Sequence, residues 1–328
     1  MTHPKAVRLR LAAIFIGAAA TLSLQAACAP AADTTERPFN PPVGSRWVIE
    51  TETRTDEMRA EGGARNSLIR TRAELSIDEK VADGFRITYV RRGTTAEGND
   101  PTLPMVRSAA KALDDVPIKA TTDRQGKPVR VDNLDEARAA LRAMAGRITE
   151  PFKDKPQLVT TLNQIMAGLI EADAVKAAAN YLEELPQLAK AQSTGMKLHE
   201  VRRTSDAVDN PLGGGAMKSN SSFELTAADS ASGKRSYVNT TAYDPASLKE
   251  LMQSLTRKLM VAAGNSVTPQ EIDGIVKQMV LSLDARAEFS VEDGMTRKIA
   301  DTTVTKASAL GRSMQKTENR TIVVTAAP

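Results

Sequence analysis

Residues 68–92 read LIRTRAELSIDEKVADGFRITYVRR, and the punctuation of this stretch decides the fold. Ile69, Thr71, Ala73, Leu75 and Ile77 alternate with Leu68, Arg70, Arg72 and Glu74. A period of two places the two sets on opposite faces of a strand. Asp83-Gly84 is a hairpin signal, and Phe85 to Arg92 resumes the strand. Upstream, Trp47, Ile49, Thr51 and Thr53 alternate with Val48, Glu50, Glu52 and Arg54, and Asp56 to Asn66, with Gly62-Gly63, reads as a turn. This part of the chain predicts an antiparallel meander with one greasier face.

Helical periodicity follows. Asn133-Leu134-Asp135-Glu136 has the form of a capping box, and Leu134, Ala137, Leu141, Met144 and Ile148 then share one face. Pro156 opens a second helix with Leu158, Leu162, Ile165, Met166, Leu169 and Ile170 on its apolar side. A third runs from Ala174 to Leu185, with Pro186 as a break. The helical middle spans 132–192. Strand character is expected again from Met196 to Arg203, then a loop from Ser205 to Ser219, then a hairpin of 223–227 and 236–242 around Ser232-Gly233. Asp244-Pro245 starts a helix carrying Leu248, Leu251, Met252, Leu255 and Leu259; Thr268-Pro269-Gln270-Glu271 starts another, carrying Ile272, Ile275, Val276, Met279, Val280 and Leu283. Strands at 285–291, 295–305 and 315–325 close the pattern. Hairpin followed by helix thus recurs loosely, around Ala73-Glu74-Leu75-Ser76 and around Phe223-Glu224-Leu225-Thr226. A third start, Ala287-Glu288-Phe289-Ser290, lacks the helix. Shared sheet composition accounts for this as well as duplication does, and the irregular spacing excludes a solenoid. The fold class is α+β: a curled, half-barrel-like antiparallel sheet packed against amphipathic helices, one domain over 46–328.

The first 28 residues read as an export signal. Lys5, Arg8 and Arg10 precede an uncharged, mostly apolar run from Leu11 to Leu24, and small residues follow. The run is shorter than the ~20 residues of a spanning helix. Cys28 stands where a bacterial lipoprotein signal places its lipidated residue, although Gln25 holds the position usually aliphatic. The alternative is cleavage at Ala29-Pro30-Ala31, which removes Cys28. Ala29 in place of Asp after the cysteine resembles an outer-membrane destination. Residues 29–45, with Pro30, Pro38, Pro41 and Pro42, read as an extended tether. The location expected is the periplasm, free or anchored to the outer membrane through Cys28.

Of 328 residues, 41% are hydrophobic and 26% charged, which excludes global disorder. Removing Lys5, Arg8 and Arg10 from the 44 basic residues leaves 41 against 40 acidic, so the balance gives no case for nucleic acid. Aromatics are 3%, too few for sugar or base platforms. One cysteine and two histidines exclude a His/Cys zinc site, and no cofactor is expected. His199 is the only histidine beyond the signal, and no Gly-x-Ser-x-Gly elbow accompanies it. Gly213-Gly214-Gly215 lacks the Lys-Ser or Lys-Thr of a phosphate loop. The carboxylate pairs Asp114-Asp115, Glu183-Glu184 and Glu292-Asp293 are sequence neighbours whose side chains diverge. The expectation is therefore a non-catalytic protein.

Pro-Pro-Val-Gly-Ser-Arg-Trp at residues 41–47, the export start, the meanders about a helical middle and the final Thr-x-x-Val of Thr321 to Val324 together resemble a family of exported bacterial proteins of unknown function. The layout is also similar to half-barrel lipoprotein-carrier and lipid-carrier folds. That similarity implies an apolar cavity between sheet and helices for a lipid or acyl chain. The candidate lining residues are Trp47, Leu141, Met144, Ile165, Met166, Leu169, Met252, Leu255 and Met279, since Met and Leu faces adapt to varied apolar partners. The alternative is an interaction or assembly subunit that docks an envelope protein through a strand edge or helix face. A hydrolase built on scattered carboxylates is the third choice.

Overall fold

A computed structural model describes residues 36–60, 63–110, 114–209, 216–262, 274, 278–309 and 312–328. Eleven strands form one antiparallel sheet: β1 (Arg46–Arg59), β2 (Ala64–Val81), β3 (Gly84–Gly98), β4 (Pro117–Asp123), β5 (Pro128–Val131), β6 (Val201–Asp209), β7 (Ala216–Asp229), β8 (Lys234–Tyr243), β9 (Val280–Glu292), β10 (Met295–Ala309) and β11 (Arg312–Ala326). The helices are α1 (Leu103–Ala110), α2 (Leu134–Thr149), α3 (Pro156–Ile170), α4 (Ala174–Tyr181), α5 (Glu184–Lys190) and α6 (Pro245–Ala262). Strand order is β5-β4-β3-β2-β1-β11-β10-β9-β8-β7-β6. The first and last strands pair at the centre, and two meander wings spread from them to open edges at β5 and β6. The chain crosses from one edge to the other through α2 to α5.

Register decides what each face sees. Trp47 pairs with Leu75 and Ala326, Ile49 with Ala73 and Val324. Trp47, Ile49, Ala73, Leu75 and Val324, with Ile77, Ile87, Ile299, Ile322 and Phe289, belong to one buried core with Leu141, Met144, Met166, Tyr181, Leu182, Leu185 and Leu188 of the helices. The opposite face of β1 and β2 carries Glu50, Glu52, Arg70, Arg72 and Glu74. Arg70 meets Glu52 at 2.9 Å, and Arg92 of β3 meets Glu74 at 3.0 Å. Exposed pairs of this kind contribute about 0–1 kcal/mol each, so they keep the outer face wet rather than hold the sheet together.

The turns have identifiable causes. A Cβ on Gly84 would collide with the Thr122 carbonyl of β4, so the Asp83-Gly84 turn needs the missing side chain to let a third strand approach. In the 41–47 motif, Gly44 at φ +85° donates its N–H to Ile77 O at 2.8 Å, and Ser45 O accepts from Ile77 N at 3.0 Å. The motif therefore sets β1 against the end of β2.

Several local expectations change. The strand expected at Met196–Arg203 begins at Val201; Met196–Glu200 is a turn with His199 at φ +63°, because fully buried Met196 points into the core. The loop expected at 205–219 is largely strand, β6 running to Asp209 and β7 starting at Ala216. Pro186 does not break a helix; it sits in the first turn of α5, where no helical donor is lost. Asn133 makes no side-chain cap. Its Oδ1 accepts from Lys119 N at 2.8 Å and its Nδ2 donates to Pro117 O and Glu136 Oε2, pinning α2 to β4. Val280 and Leu283 lie in β9, not on a helix, and most of the helix expected after Thr268 falls outside the described residues. The extended segment expected at 29–45 is described from Glu36 and is bound to the body there. Phe39 is buried edge-on against Phe85, and the Glu36 carboxylate accepts from Thr194 N and Gly195 N.

Ile322 is fully buried on the central strand, paired with Thr51 and Ile299. Ile322→Ala is expected to lower unfolding free energy by about 3 kcal/mol, read as a shift of the denaturant midpoint at unchanged slope.

Candidate functional site: a polar wall beneath an apolar arch

One rung of the inner face runs Thr51, Ile322, Ile299, Phe289, Tyr237 and Leu225 across six strands. The next runs Thr53, Arg320, Asp301, Ala287, Asn239 and Phe223, and the one after it Thr55, Glu318, Thr303, Ala285, Thr241 and Ser221. Along β8, β10 and β11 the inner face turns from apolar to polar within two residues, Tyr237 to Asn239, Ile299 to Asp301 and Ile322 to Arg320. Thr94, Ser219, Ser221, Asn239, Thr241 and Thr305 are buried on it.

The helix α5 stands at this boundary. Glu184, Gln187 and Lys190 are spaced three apart and share one helical face. Tyr89 Oη of β3 donates to Glu184 Oε2 at 3.1 Å, Arg320 Nη2 of β11 donates to Gln187 Oε1 at 2.6 Å, and Lys190 Nζ donates to Asn239 Oδ1 of β8 at 2.9 Å. Leu185, Leu188 and Ala189 fill the core. Arg320 also binds Asp301 at 2.8 Å. Burial, then the Glu184 charge, pushes the Tyr89 phenol well above its usual range. Burial and the neighbouring Glu184 raise Glu183, which favours its neutral form. Lys190 lies 5.6 Å over the Phe223 ring, and burial lowers it to about 8, with Asp206 and Asp301 opposing.

Among the described residues, five buried polar atoms have no hydrogen-bond partner: Thr51 Oγ1, Arg91 Nε, Asp206 Oδ2, Ser219 Oγ and Arg320 Nε. By register all five residues belong to the inner face. An unsatisfied buried polar group costs about 1–3 kcal/mol, more when charged. Five on one wall mark a surface that meets water or a ligand.

Facing that wall is an arch of helices. Helix α1 packs on β3 and α2, α2 on α3, α3 on α6, and α6 on β7 and β9. Leu103, Leu141, Met144, Leu162, Met166 and Leu248 are buried along it. The two sides of the interior thus have opposite chemistry. Among the described residues no three His, Cys, Asp or Glu side chains form a metal-binding group. On the outside, a groove of about 700 Å³ is lined by Asp78, Glu79, Arg86, Lys119, Arg130 and Asp132, but its charges pair internally, Arg86 with Glu79 and Arg130 with Asp132.

The residues expected to line an apolar cavity are placed as follows. Trp47, Leu141, Met144 and Met166 come together in the packed core, and Leu169 is half-buried against it. Met252 on α6 and Met279 before β9 are half-buried and lie apart from that group. Cys28 and the side chains of Ile165 and Leu255 fall outside the described residues. His199 is exposed on its turn. The polar wall was not anticipated. Its signal was present in Thr51-x-Thr53-x-Thr55, continuing the face of Trp47 and Ile49, and in the spacing of Glu184, Gln187 and Lys190.

No protein-family model and no curated protein sequence matches the chain. Among solved structures it is similar to lipovitellin, described by its lipid–protein interactions, at TM-score 0.42 and 8% identity over 88% of this chain. This chain spans 26% of the lipovitellin chain. It is also similar to an outer membrane channel from Pseudomonas putida F1, at TM-score 0.18, 8% identity and 89% and 99% of the two chains. A third likeness is to Pseudomonas aeruginosa OpdL, at TM-score 0.20, 8% identity and 87% and 99% of the two chains.

Lys190 generates a pH prediction. Its folded value of about 8 lies below the ordinary 10.5, so between these values the unfolded chain holds more protons and rising pH favours folding. Lys190→Met removes a buried charge and one hydrogen bond. The variant is expected to be more stable than the parent at pH 7 by roughly 1–2 kcal/mol, and the gap to close between pH 8 and 10, measured by urea unfolding at each pH.

Proposed function

We propose that this chain is an exported, non-catalytic protein of the bacterial envelope that carries an amphipathic lipid or acyl chain between sheet and helices. Its place is the periplasm, free or held at the outer membrane through Cys28. The observation that carries this proposal is the set of five unpartnered buried polar atoms on the inner wall, opposite an apolar arch. A hydrocarbon chain suits the arch and a polar head suits the wall. Such a ligand satisfies both surfaces, whereas a purely apolar one leaves the wall unpaired.

A second proposal, a docking subunit, is favoured by the asymmetry of the two sheet edges. The β5 edge is four residues long, begins with Pro128 and is packed by α4. The β6 edge is nine residues long, with Val201 exposed and Leu198 exposed just before it. Among the described residues β6 pairs with β7 alone, and a long edge of this kind is a template for strand addition.

Native mass spectrometry of full-length protein purified gently from envelopes tests the carrier proposal. A dissociable lipid mass is expected beside the polypeptide, and a diacylglyceryl mass on Cys28 reports anchoring. A bare polypeptide, combined with one reproducible crosslinked partner mapping to β6, would replace the carrier proposal with the docking one.

A further inference from the structure

We infer that the ligand head is an oxyanion, a carboxylate or a phosphate, and that Lys190 with Arg320 receives it. This deepens the carrier proposal and rests on it. Two cations of the inner wall, Arg91 of β3 and Arg320 of β11, flank α5, and a third, Lys190, is on α5 itself. Each has donor capacity to spare. The Arg91 and Arg320 Nε atoms are buried without partners. Lys190 gives one hydrogen bond to the neutral Asn239 amide and otherwise faces the Phe223 ring, and no described carboxylate forms an ion pair with it. An ammonium carries three donors, so one hydrogen bond and a ring face leave it short of a full shell.

The acids nearby are mostly committed. Glu184 accepts from Tyr89, Asp301 from Arg320, and Glu183 is shifted toward its neutral form by burial beside Glu184. Asp206 on β6 keeps a buried free acceptor and, with Asp301, is the negative charge that acts on Lys190. The free buried capacity on β3 and β11 beside α5 is donating and cationic, at Arg91 Nε and Arg320 Nε. Gln187 and Lys190 occupy successive turns of α5, and Gln187 holds the Arg320 guanidinium, so one short helix orients both cations. A charge-assisted bond from these groups to an oxyanion is about twice as strong as a neutral one. The Phe223–Tyr237 stack, at 5.2 Å between centroids, with Phe289 edge-on at 5.7 Å, gives the first carbons of the chain an apolar seat beside the head.

The charged groups acting on Lys190 from packed strands are Asp206 of β6 and Asp301 of β10; Asp301 is ion-paired to Arg320 of β11 and acts in turn on Tyr243 of β8. Burial and Asp301 raise Tyr243 and leave it neutral through the range of interest. Lys190 itself loses its proton near pH 8, so oxyanion affinity is expected to fall through that pH.

Full-length protein is titrated with cis-parinaric acid and with its methyl ester, and the probe is displaced by laurate, dodecyl phosphate or dodecanol. The parent is expected to prefer the acid to the ester by on the order of tenfold at pH 7 and to keep only the smaller share due to Arg320 above pH 9. Lys190→Met is expected to show that smaller preference at both pH values, and Lys190→Arg to keep the full preference above pH 9. Displacement by laurate alone assigns a carboxylate, and by dodecyl phosphate alone a phosphate. Equal binding of acid and ester by the parent, or an unchanged preference in folded Lys190→Met, overturns the inference while the carrier proposal stands. Binding of neither probe removes both.

Discussion

The polar face of α5 is the constraint on which the rest of this molecule depends. Its seven residues reach β3 through Glu184, β11 through Gln187 and β8 through Lys190. In a flat sheet β3 and β8, six strand spacings apart, lie about 29 Å from each other. A helix of seven residues is about 10 Å long. The sheet therefore has to curl around α5 for all three bonds to form. Gln192, just past that helix, repeats the logic. Its amide donates to Gln125 O at the β4–β5 turn at 2.6 Å and accepts from Thr296 N of β10 at 3.1 Å, tying the two wings together near their tips. The edges stay open, so these side chains set a curvature that barrel closure would otherwise impose.

Curling creates an inside, and its chemistry is split along the strands. At one end Trp47, Ile49, Ile299 and Ile322 share a packed core with α2, α4, α5 and Met166 of α3. At the other the same face presents threonines, serines and charges. A sheet built only for stability would continue the apolar rungs, because each hydroxyl or guanidinium facing inward forfeits burial energy and needs a partner. The apolar end supplies the folding energy that lets the polar end exist. The polar end is where the structure departs from what stability alone asks.

Alternation made the sheet legible. The assignment of Ile69, Thr71, Ala73, Leu75 and Ile77 to one face agrees with the observed pairing, as does the hairpin at Asp83-Gly84. The hairpins also repeat in register, Leu75 opposite Tyr89 and Leu225 opposite Tyr237, each followed by a helix. The polar strands hid themselves for a physical reason. Residues 205–209 and 216–219 read Ser-Asp-Ala-Val-Asp and Ala-Met-Lys-Ser, in which no hydrophobic period of two stands out. Pro186 read as a break because its tolerance depends on where the helix begins, and that is set by Glu184 bonding Tyr89 rather than by local propensity. The cavity was expected to be apolar because Met and Leu stripes are visible in one dimension. Convergence of Arg91, Arg320 and Lys190 on one helix is a property of three dimensions.

The outer face completes the argument about what kind of ligand surface this is. Glu50, Glu52, Arg70, Arg72, Glu74 and Arg92 cover the convex side of β1 to β3, with ion pairs between neighbouring strands. Charges at the middle of a bilayer are costly on a lipid-facing strand, by about 2–4 kcal/mol for Arg or Lys. This convex face is built for water. The apolar surface, by contrast, lies on helices that look inward, across from the polar wall. In the carrier we propose, the polar wall would take the head and the arch the chain, with α5 standing where the two meet.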